Sequence, residues 1–436
     1  MSTTEKLNGY GPLAGVKVVE LCEWVAAPAC VRCLSEMGAT VIKVEPPYGD
    51  AQRTQGPGFG CEQTDMEDPT IDLNNTNKNF VSINLKNEEG MKFMKKLLAD
   101  ADIFVNNLRD KALNKMGLDY ETLHKEFPTL IWAQMRGYGE YGPEKDSPGF
   151  DAVCWAARGG VANVFREDGE SPAIAPQAFG DYNVGHMLAT GIVSALFNRT
   201  RTGKGEKVVT NLYAGAIWGG NIGICATQFG APYPKSRKHV PNPFNNTYHT
   251  YDDKWIYICM PQYDKYYPMM MGLFGHEDQI ENPDTNNLTS LKASGKNVEV
   301  IDWLEKAFAK KTFDEWMAIF KENEVPAQKC FRYTDVVKDE EAYDNDALRM
   351  VEYEAYGKRA LPMTPVRFGS YGDPPVVLSK PIGYHTAEFM HDYGYSDEEI
   401  AKIAEDGGVV VYDGPEIEDR IFVSKRQAAG EAPCNW

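Results

Sequence analysis

The chain has 436 residues, 43% hydrophobic and 25% charged, the composition of a soluble globular protein too long for one ordinary domain. Its 63 acidic against 45 basic residues give a formal charge of −18, which argues against nucleic acid as a main partner and leaves an anionic ligand only a local basic pocket. No apolar run reaches bilayer length and the opening MSTTEKLNGYGPLAG lacks a signal pattern, so no membrane partner is expected and the expected compartment is the cytoplasm.

Val16–Leu21 reads as a buried strand, Pro28–Met37 as a helix and Thr40–Glu45 as a second strand, a βαβ opening that predicts a parallel sheet. The connection Glu23-Trp24-Val25-Ala26-Ala27-Pro28 carries no Gly-rich phosphate finger, which argues against a nicotinamide enzyme. Cys30 and Cys33 have the spacing of a thioredoxin-like pair, but Leu34 and Met37 on the same helix favour a buried structural pair. Nine scattered cysteines fit free thiols rather than a disulfide framework, and no Cys/His set completes a metal site. A loop from Pro46 to Asp72 is long enough to suggest a function, here expected to be closure of a site.

Strands at 80–85, 102–106 and 129–135 alternate with helices, one of them at 88–100, which extends the α/β pattern. Ligands of open α/β sheets bind beyond the carboxyl ends of the strands. Val25, Ala26, Lys86, Asn107, Leu108 and Arg136 fall there, and Lys86, Lys115 and Arg136 are candidates for an anion pocket. Asp151 opens a helical stretch and reads as its cap. Gly180-Asp181 ends a loop and opens a helix over 184–197, stopped by Thr202-Gly203-Lys204-Gly205. Asp181 there is either a helix cap or a nucleophile held by the same N–H donors.

A strand at 207–212 and an apolar segment to Gln228 complete the first part, 1–228. After a linker at 231–243, a hairpin (246–251 and 255–260) and three amphipathic helices predict a small α+β domain over 229–340, with Pro268 in the first turn of the first helix. The remainder, 341–436, returns through an acidic stretch and ends in a helix with a Ser396/Glu399 capping box.

Taken together, Ala26-Ala27-Pro28, Gly38 to Glu45, Gly49-Asp50 with Arg53, Asn77-Lys78, Lys115-Met116-Gly117, Gly137-Tyr138-Gly139, Gly180-Asp181 and Gly383-Tyr384-His385-Thr386 make the chain resemble the class III CoA-transferases (the formyl-CoA and carnitine CoA-transferase superfamily) over nearly its whole length. Pro148-Gly149-Phe150-Asp151, Ala157 to Val161 and Pro241-Asn242-Pro243-Phe244 resemble the branch acting on phenyllactate (cinnamoyl-CoA) and 2-hydroxyisocaproate in amino-acid-fermenting anaerobes. The resemblance implies a Rossmann-like large domain with an open parallel sheet, built from both chain ends, and two chains interlocked as a homodimer. It implies acyl-CoA and a small carboxylic acid as substrates, with no tightly bound cofactor and no metal. It places the family's aspartate nucleophile at Asp181. Its coenzyme A contacts fall on Val25 and Ala26 near the pantetheine, Ile83 and Lys86 at the adenine end, and Asn107, Leu108, Ala112, Lys115, Met116 and Arg136.

Val25 stands where the formyl-CoA branch has Gln, and that branch's Gly-rich loop in the small domain is missing, which argues against formyl and oxalyl substrates. Phe150 stands where related 2-methylacyl-CoA racemases have a His base, and a phenyl ring moves no proton. The alternatives are such a racemase, a thiol redox protein using Cys30 and Cys33, or a non-catalytic CoA-binding protein. An ordinary Asp titrates near ~4, so Asp181 is expected to be ionised at neutral pH without a base. Oxyanion donors are expected at Gly180 or in the Gly137-Tyr138-Gly139 turn.

Overall fold

The structure, a computed structural model, describes residues 10–432; most of the opening segment read above for an export signal lies outside them. The first elements are β1 (Lys17–Leu21), α1 (Ala26–Glu36), β2 (Thr40–Glu45), α2 (Pro69–Asn75), β3 (Lys78–Ile83), α3 (Glu88–Ala99) and β4 (Ile103–Asn106). They are followed by α4 (Asp110–Met116), α5 (Tyr120–Glu126), β5 (Ile131–Arg136), α6 (Phe179–Thr202), β6 (Lys207–Asn211) and α7 (Leu212–Gly219).

These strands form one sheet in the order Val409–Val410, β3, β2, β1, β4, β5, β6. Every pairing is parallel except that of Val409–Val410 with β3. Val18, Val19, Ile42, Phe80, Val81, Phe104 and Ile131 are buried to 2% exposure or less, the near-continuous apolar runs of strands covered on both faces. The chain builds outward from β1 through β2 to β3, then returns to lay β4 on the other side of β1. That reversal makes the β1/β4 junction the switch point, where such sheets open a crevice.

Charge is threaded through the same sheet. Glu20, Lys43 and Lys78 are fully enclosed, with Lys43 Nζ 3.4 Å and Lys78 Nζ 2.8 Å from the Glu20 carboxylate. Lys78 also donates to Asn75 Oδ1 at 2.9 Å. This explains why β3 begins at Lys78 rather than Phe80: the polar start of the strand is paired inside the protein instead of solvated.

The described chain divides into two compact units. The first contains the residues up to Val161, Ala175–Asn221 and everything from Asp339 on; the second contains Ala162–Ile174 and Ile222–Lys338. The units therefore change over at Asn221/Ile222 and Lys338/Asp339, against 228/229 and 340/341 in the sequence reading. The segment 162–174 joins the second unit, where both oxygens of Glu167 accept the Arg237 N–H at 3.1 Å.

The second unit has its own core. Three antiparallel strands (Asn245–His249, Trp255–Cys259, Ala327–Lys329) carry Tyr248, Ile256 and Ile258 on the buried face. Helices at Tyr263–Phe274, Asn297–Phe308 and Phe313–Glu322 cover them, with Tyr248 stacked on Phe308 at 4.8 Å. Pro268 lies inside the first of these helices rather than in its first turn, because the helix starts at Tyr263. In the first unit, the hairpin Leu348–Tyr353 and Gly357–Pro362 was not anticipated; Leu348, Val351 and Tyr353 are buried, as is the charged Arg349, while Met350 and Glu352 are exposed. Ser396 and Glu399 form the expected capping box.

Candidate active site

A cavity of about 360 Å³ opens at the β1/β4 switch point, within the range of ~300–1,000 Å³ usual for small-molecule sites. The loop after β1 supplies Glu23 to Ala26, the loop after β4 supplies Asn107 to Arg109, and the end of β5 supplies Met135 to Tyr138. Asp181 reaches the cavity from the first turn of α6. The expected residues Val25, Ala26, Asn107, Leu108, Arg136 and Asp181 are thus brought together. The others lie elsewhere in this chain: Ile83 is buried in the sheet core, Lys86 sits exposed in the turn before α3, and Ala112, Lys115 and Met116 lie along α4.

The position of Asp181 follows from two close approaches. Gly185, one turn along α6, lies against α1, where an added Cβ would come within 2.8 Å of the Ala26 carbonyl oxygen. At Gly180 an added Cβ would collide with the Trp155 ring and the Asp151 carboxylate. Helix α6 begins at Phe179, not Val184, and Ala178 before it is left-handed at φ 58°. Asp181 is therefore the third residue of the helix and not its cap. Trp24, at φ 67°, is a second strained position on the cavity wall, with its ring edge-on to Phe150 at 5.5 Å.

Asp151 does not cap the π-helical turn Ala152–Arg158 that follows it. Its Oδ2 instead accepts the Gly180 N–H at 3.3 Å, while Oδ1 is buried without a hydrogen-bond partner among the described residues. That bond occupies one of the two expected oxyanion donors; the Gly137-Tyr138 backbone remains on the cavity wall. Burial pushes the Asp181 carboxyl up to about 7, with the nearby Asp151 charge adding to the effect. A helix start favours a carboxylate, but here burial prevails. The expectation of a fully ionised Asp181 at neutral pH is corrected accordingly.

The expected basic pocket is also different. Arg136 is spent on the protein itself, donating to Asp110 at 2.6 Å, Gln134 Oε1 at 3.0 Å and the Lys145 carbonyl at 2.9 Å. The exposed cations on the cavity wall are Arg109 and Lys145, which the sequence reading missed because they sit in loops without periodicity. No residue of the 46–72 loop lines this cavity. Asp50 of that loop instead accepts the Trp24 N–H at 3.0 Å and holds the wall in place.

A family profile described as CoA-transferase family III matches residues 13–386. The chain belongs to that family. This CoA-transferase is 40% identical to the cinnamoyl-CoA:phenyllactate CoA-transferase of Clostridium sporogenes, over 93% of its own length and 98% of the relative's. It is 39% identical to the (R)-2-hydroxy-4-methylpentanoate CoA-transferase of Clostridioides difficile, over 92% of this chain and 100% of that one. A Mycobacterium tuberculosis protein solved in an orthorhombic crystal form superposes with a TM-score of 0.74 at 28% identity, covering 88% of this chain and all of that one. As a member of the family, the enzyme transfers coenzyme A from an acyl-CoA to a carboxylic acid.

The competing chemistries are not favoured. Burial pushes the Cys33 thiol up to about 12 and raises Cys30 as well, the opposite of what a redox pair needs. Phe150 lies on the cavity wall and offers no proton. No helix among the described residues is long and apolar enough to cross a membrane. No group of three metal-binding side chains is found among them either.

Proposed function

We propose that the CoA-transferase works through a covalent aspartyl-CoA thioester on Asp181. The carboxylate attacks the donor thioester carbonyl and breaks its C–S bond, giving a mixed anhydride and CoA thiolate. The thiolate attacks the aspartyl carbonyl, which releases the donor acid as its carboxylate and leaves the thioester. An acceptor carboxylate then attacks that thioester and expels CoA thiolate again. Attack of the thiolate on the acceptor's acyl carbonyl gives the new acyl-CoA and regenerates Asp181. No bond energy is lost to water, so neither ATP nor a metal enters the balance. What carries the reading is the opening of the Asp181 carboxyl into the switch-point cavity beside Val25, Ala26 and Asn107.

The acid we infer is an aryl or branched 2-hydroxy acid or its enoate, as in fermentation of amino acids. Support comes from the two clostridial relatives and from the Trp24 and Phe150 rings on the cavity wall. Val25 and Ala26 are assigned to the pantetheine. Ile83, Lys86, Asn107, Leu108, Ala112, Lys115, Met116 and Arg136 are assigned to the rest of CoA, Arg136 by shaping the wall rather than by free charge.

We also infer a cytoplasmic, interlocked homodimer with a large domain and a small one. The pairing is supported by the exposed Phe197 and Trp218 (67% and 69% exposed) on α6 and α7. The cytoplasmic location is supported by free thiols at every described cysteine. Asp181→Asn tests the central reading: CoA transfer is lost while CoA binding persists. Transfer at near the parental rate would refute it.

A further inference from the structure

Asp151 is a buried carboxylate, 7% exposed, next to the residue proposed to carry the acyl and CoA groups. One oxygen accepts the Gly180 N–H, and the other stands where a side chain at position 180 would begin, 2.2 Å from an added Cβ, without a hydrogen-bond partner among the described residues. A buried carboxylate with a single 3.3 Å acceptor bond is poorly compensated and costs stability. Asp151 does not cap the turn that follows it; its one bond goes to the free N–H of Gly180, in the first turn of α6.

We propose that Asp151 is a positioning residue that fixes the first turn of α6 through the Gly180 N–H and drives Asp181 from its charged carboxylate toward its neutral, acylated forms. The inference rests on the covalent reading of Asp181. Its physical core is that the anhydride and the thioester of Asp181 are both uncharged. Any negative charge held beside Asp181 therefore raises the free energy of the resting carboxylate and leaves the acylated enzyme almost untouched. The same repulsion makes the carboxylate more basic, and so a better nucleophile. The carboxyl's rise to about 7, with Asp151 as the charged contributor after burial, has the sign this requires.

Asp151 is the group whose charge acts on Asp181; burial raises its own carboxyl and the Gly180 N–H bond lowers it, so that charge acts where Asp151 is ionised. Cys154, also on the π turn, has its thiol raised by burial and is neutral at working pH; Tyr182, beside Asp181 on α6, is raised to about 12 and is neutral too. On the cavity wall stand Glu23 and Tyr138, with the cations Arg109, Lys145 and the already paired Arg136. Removing the Asp151 charge should therefore move Asp181 directly.

The test compares the parent enzyme with Asp151→Asn, which keeps an oxygen for the Gly180 N–H, and with Asp151→Glu, which restores the charge. Two quantities are read: the acid limb of kcat/KM against pH, and the fraction of enzyme carrying CoA as a thioester on the Asp181 peptide after mixing with cinnamoyl-CoA. With Asn, the acid limb should move to lower pH by about half a unit or more, and the thioester fraction should fall about threefold or more. Glu should return the limb toward the parent's position. If the Asn variant does not fold, Asp151→Ser, which also keeps an acceptor oxygen, takes its place. A limb and a thioester fraction unchanged in the folded variant would overturn the proposal, as would a limb that moves to higher pH. Absence of any adduct on Asp181 in the parent enzyme would instead refute the covalent reading itself.

Discussion

Lys43 Nζ and Asp50 Oδ2 are 2.9 Å apart with no solvent access to either, and the other Asp50 oxygen accepts the Trp24 N–H. A buried ion pair beneath the sheet thus ends on the backbone of a strained cavity-wall residue. Lys43 is held charged against burial by Asp50 and Glu20, which push its ammonium above the ordinary lysine range. Replacing Lys43 by Met leaves the buried Asp50 carboxylate without a counter-charge and Glu20 with Lys78 alone, so we expect a loss of about 3–5 kcal/mol in stability. Chemical denaturation measures it; a loss below about 1 kcal/mol would mean the pair is replaceable.

Gly185→Ala places a methyl group 2.8 Å from the Ala26 carbonyl oxygen and must push α6 away from α1. The expected cost is about 1–3 kcal/mol, with a disproportionate loss of kcat because Asp181 moves with the helix. Gly203→Ala, at the far end of α6 with open space around its Cβ, should cost stability through its φ of 69° while sparing kcat. Equal loss of kcat in both variants would contradict this geometry.

Asp181 also sets a pH dependence. Its folded carboxyl lies near 7, above the ordinary value near ~4, so the protonated form is favoured in the fold. Its contribution to stability is present below about pH 4 and lost as pH rises through about 7. Activity runs the other way, because the carboxylate is the attacking form: kcat/KM should rise toward about pH 7 and level off above it. Asp181→Asn should accordingly stabilise the fold relative to the parent more at about pH 8 than at about pH 5, read as thermal midpoints. An acid limb near ~4 would contradict the burial of this carboxyl.

The paired and unpaired cations of the cavity should respond differently. Arg136→Met breaks contacts with Asp110, Gln134 and the Lys145 carbonyl, and its main effect should be on stability. Lys145→Ala and Arg109→Ala should raise the KM for acyl-CoA several-fold, less so at high salt, and leave stability within about 0.5 kcal/mol. A salt-insensitive KM would count against a role for these two cations.

The thiols divide along the same line of burial. Cys225, Cys259 and Cys330 are exposed and should react first with an aromatic disulfide reagent near neutral pH, whereas Cys30 and Cys33 should react only on unfolding. Changing Cys30 and Cys33 together to Ser should keep transferase activity. A selective loss of activity in the folded double variant would revive thiol chemistry.

The sequence showed the α/β alternation plainly, because strands such as Thr40–Glu45 are β-branched-rich (Thr40, Val41, Ile42, Val44) and follow turn residues such as Gly38. The cavity residues after β1 and β4 were legible for the same reason, since strand ends in a parallel sheet share one edge. Partnerships at a distance were not legible. Nothing local separates Asp151 as a cap from Asp151 as the acceptor for Gly180 29 positions away. Arg136 gave no sign that Asp110 and Gln134 would occupy it, nor Lys78 that Glu20 would draw it inside. The rise in the Asp181 carboxyl depends on burial by elements scattered through the chain, which a residue-type average near ~4 cannot carry.

The most direct test is to mix the enzyme with an acyl-CoA, trap with hydroxylamine or borohydride, and locate the modified peptide by mass spectrometry. The account predicts a single modification, on Asp181, absent when acyl-CoA is omitted and absent in Asp181→Asn. Modification of a different residue, or transfer at full rate without any modification, would contradict it.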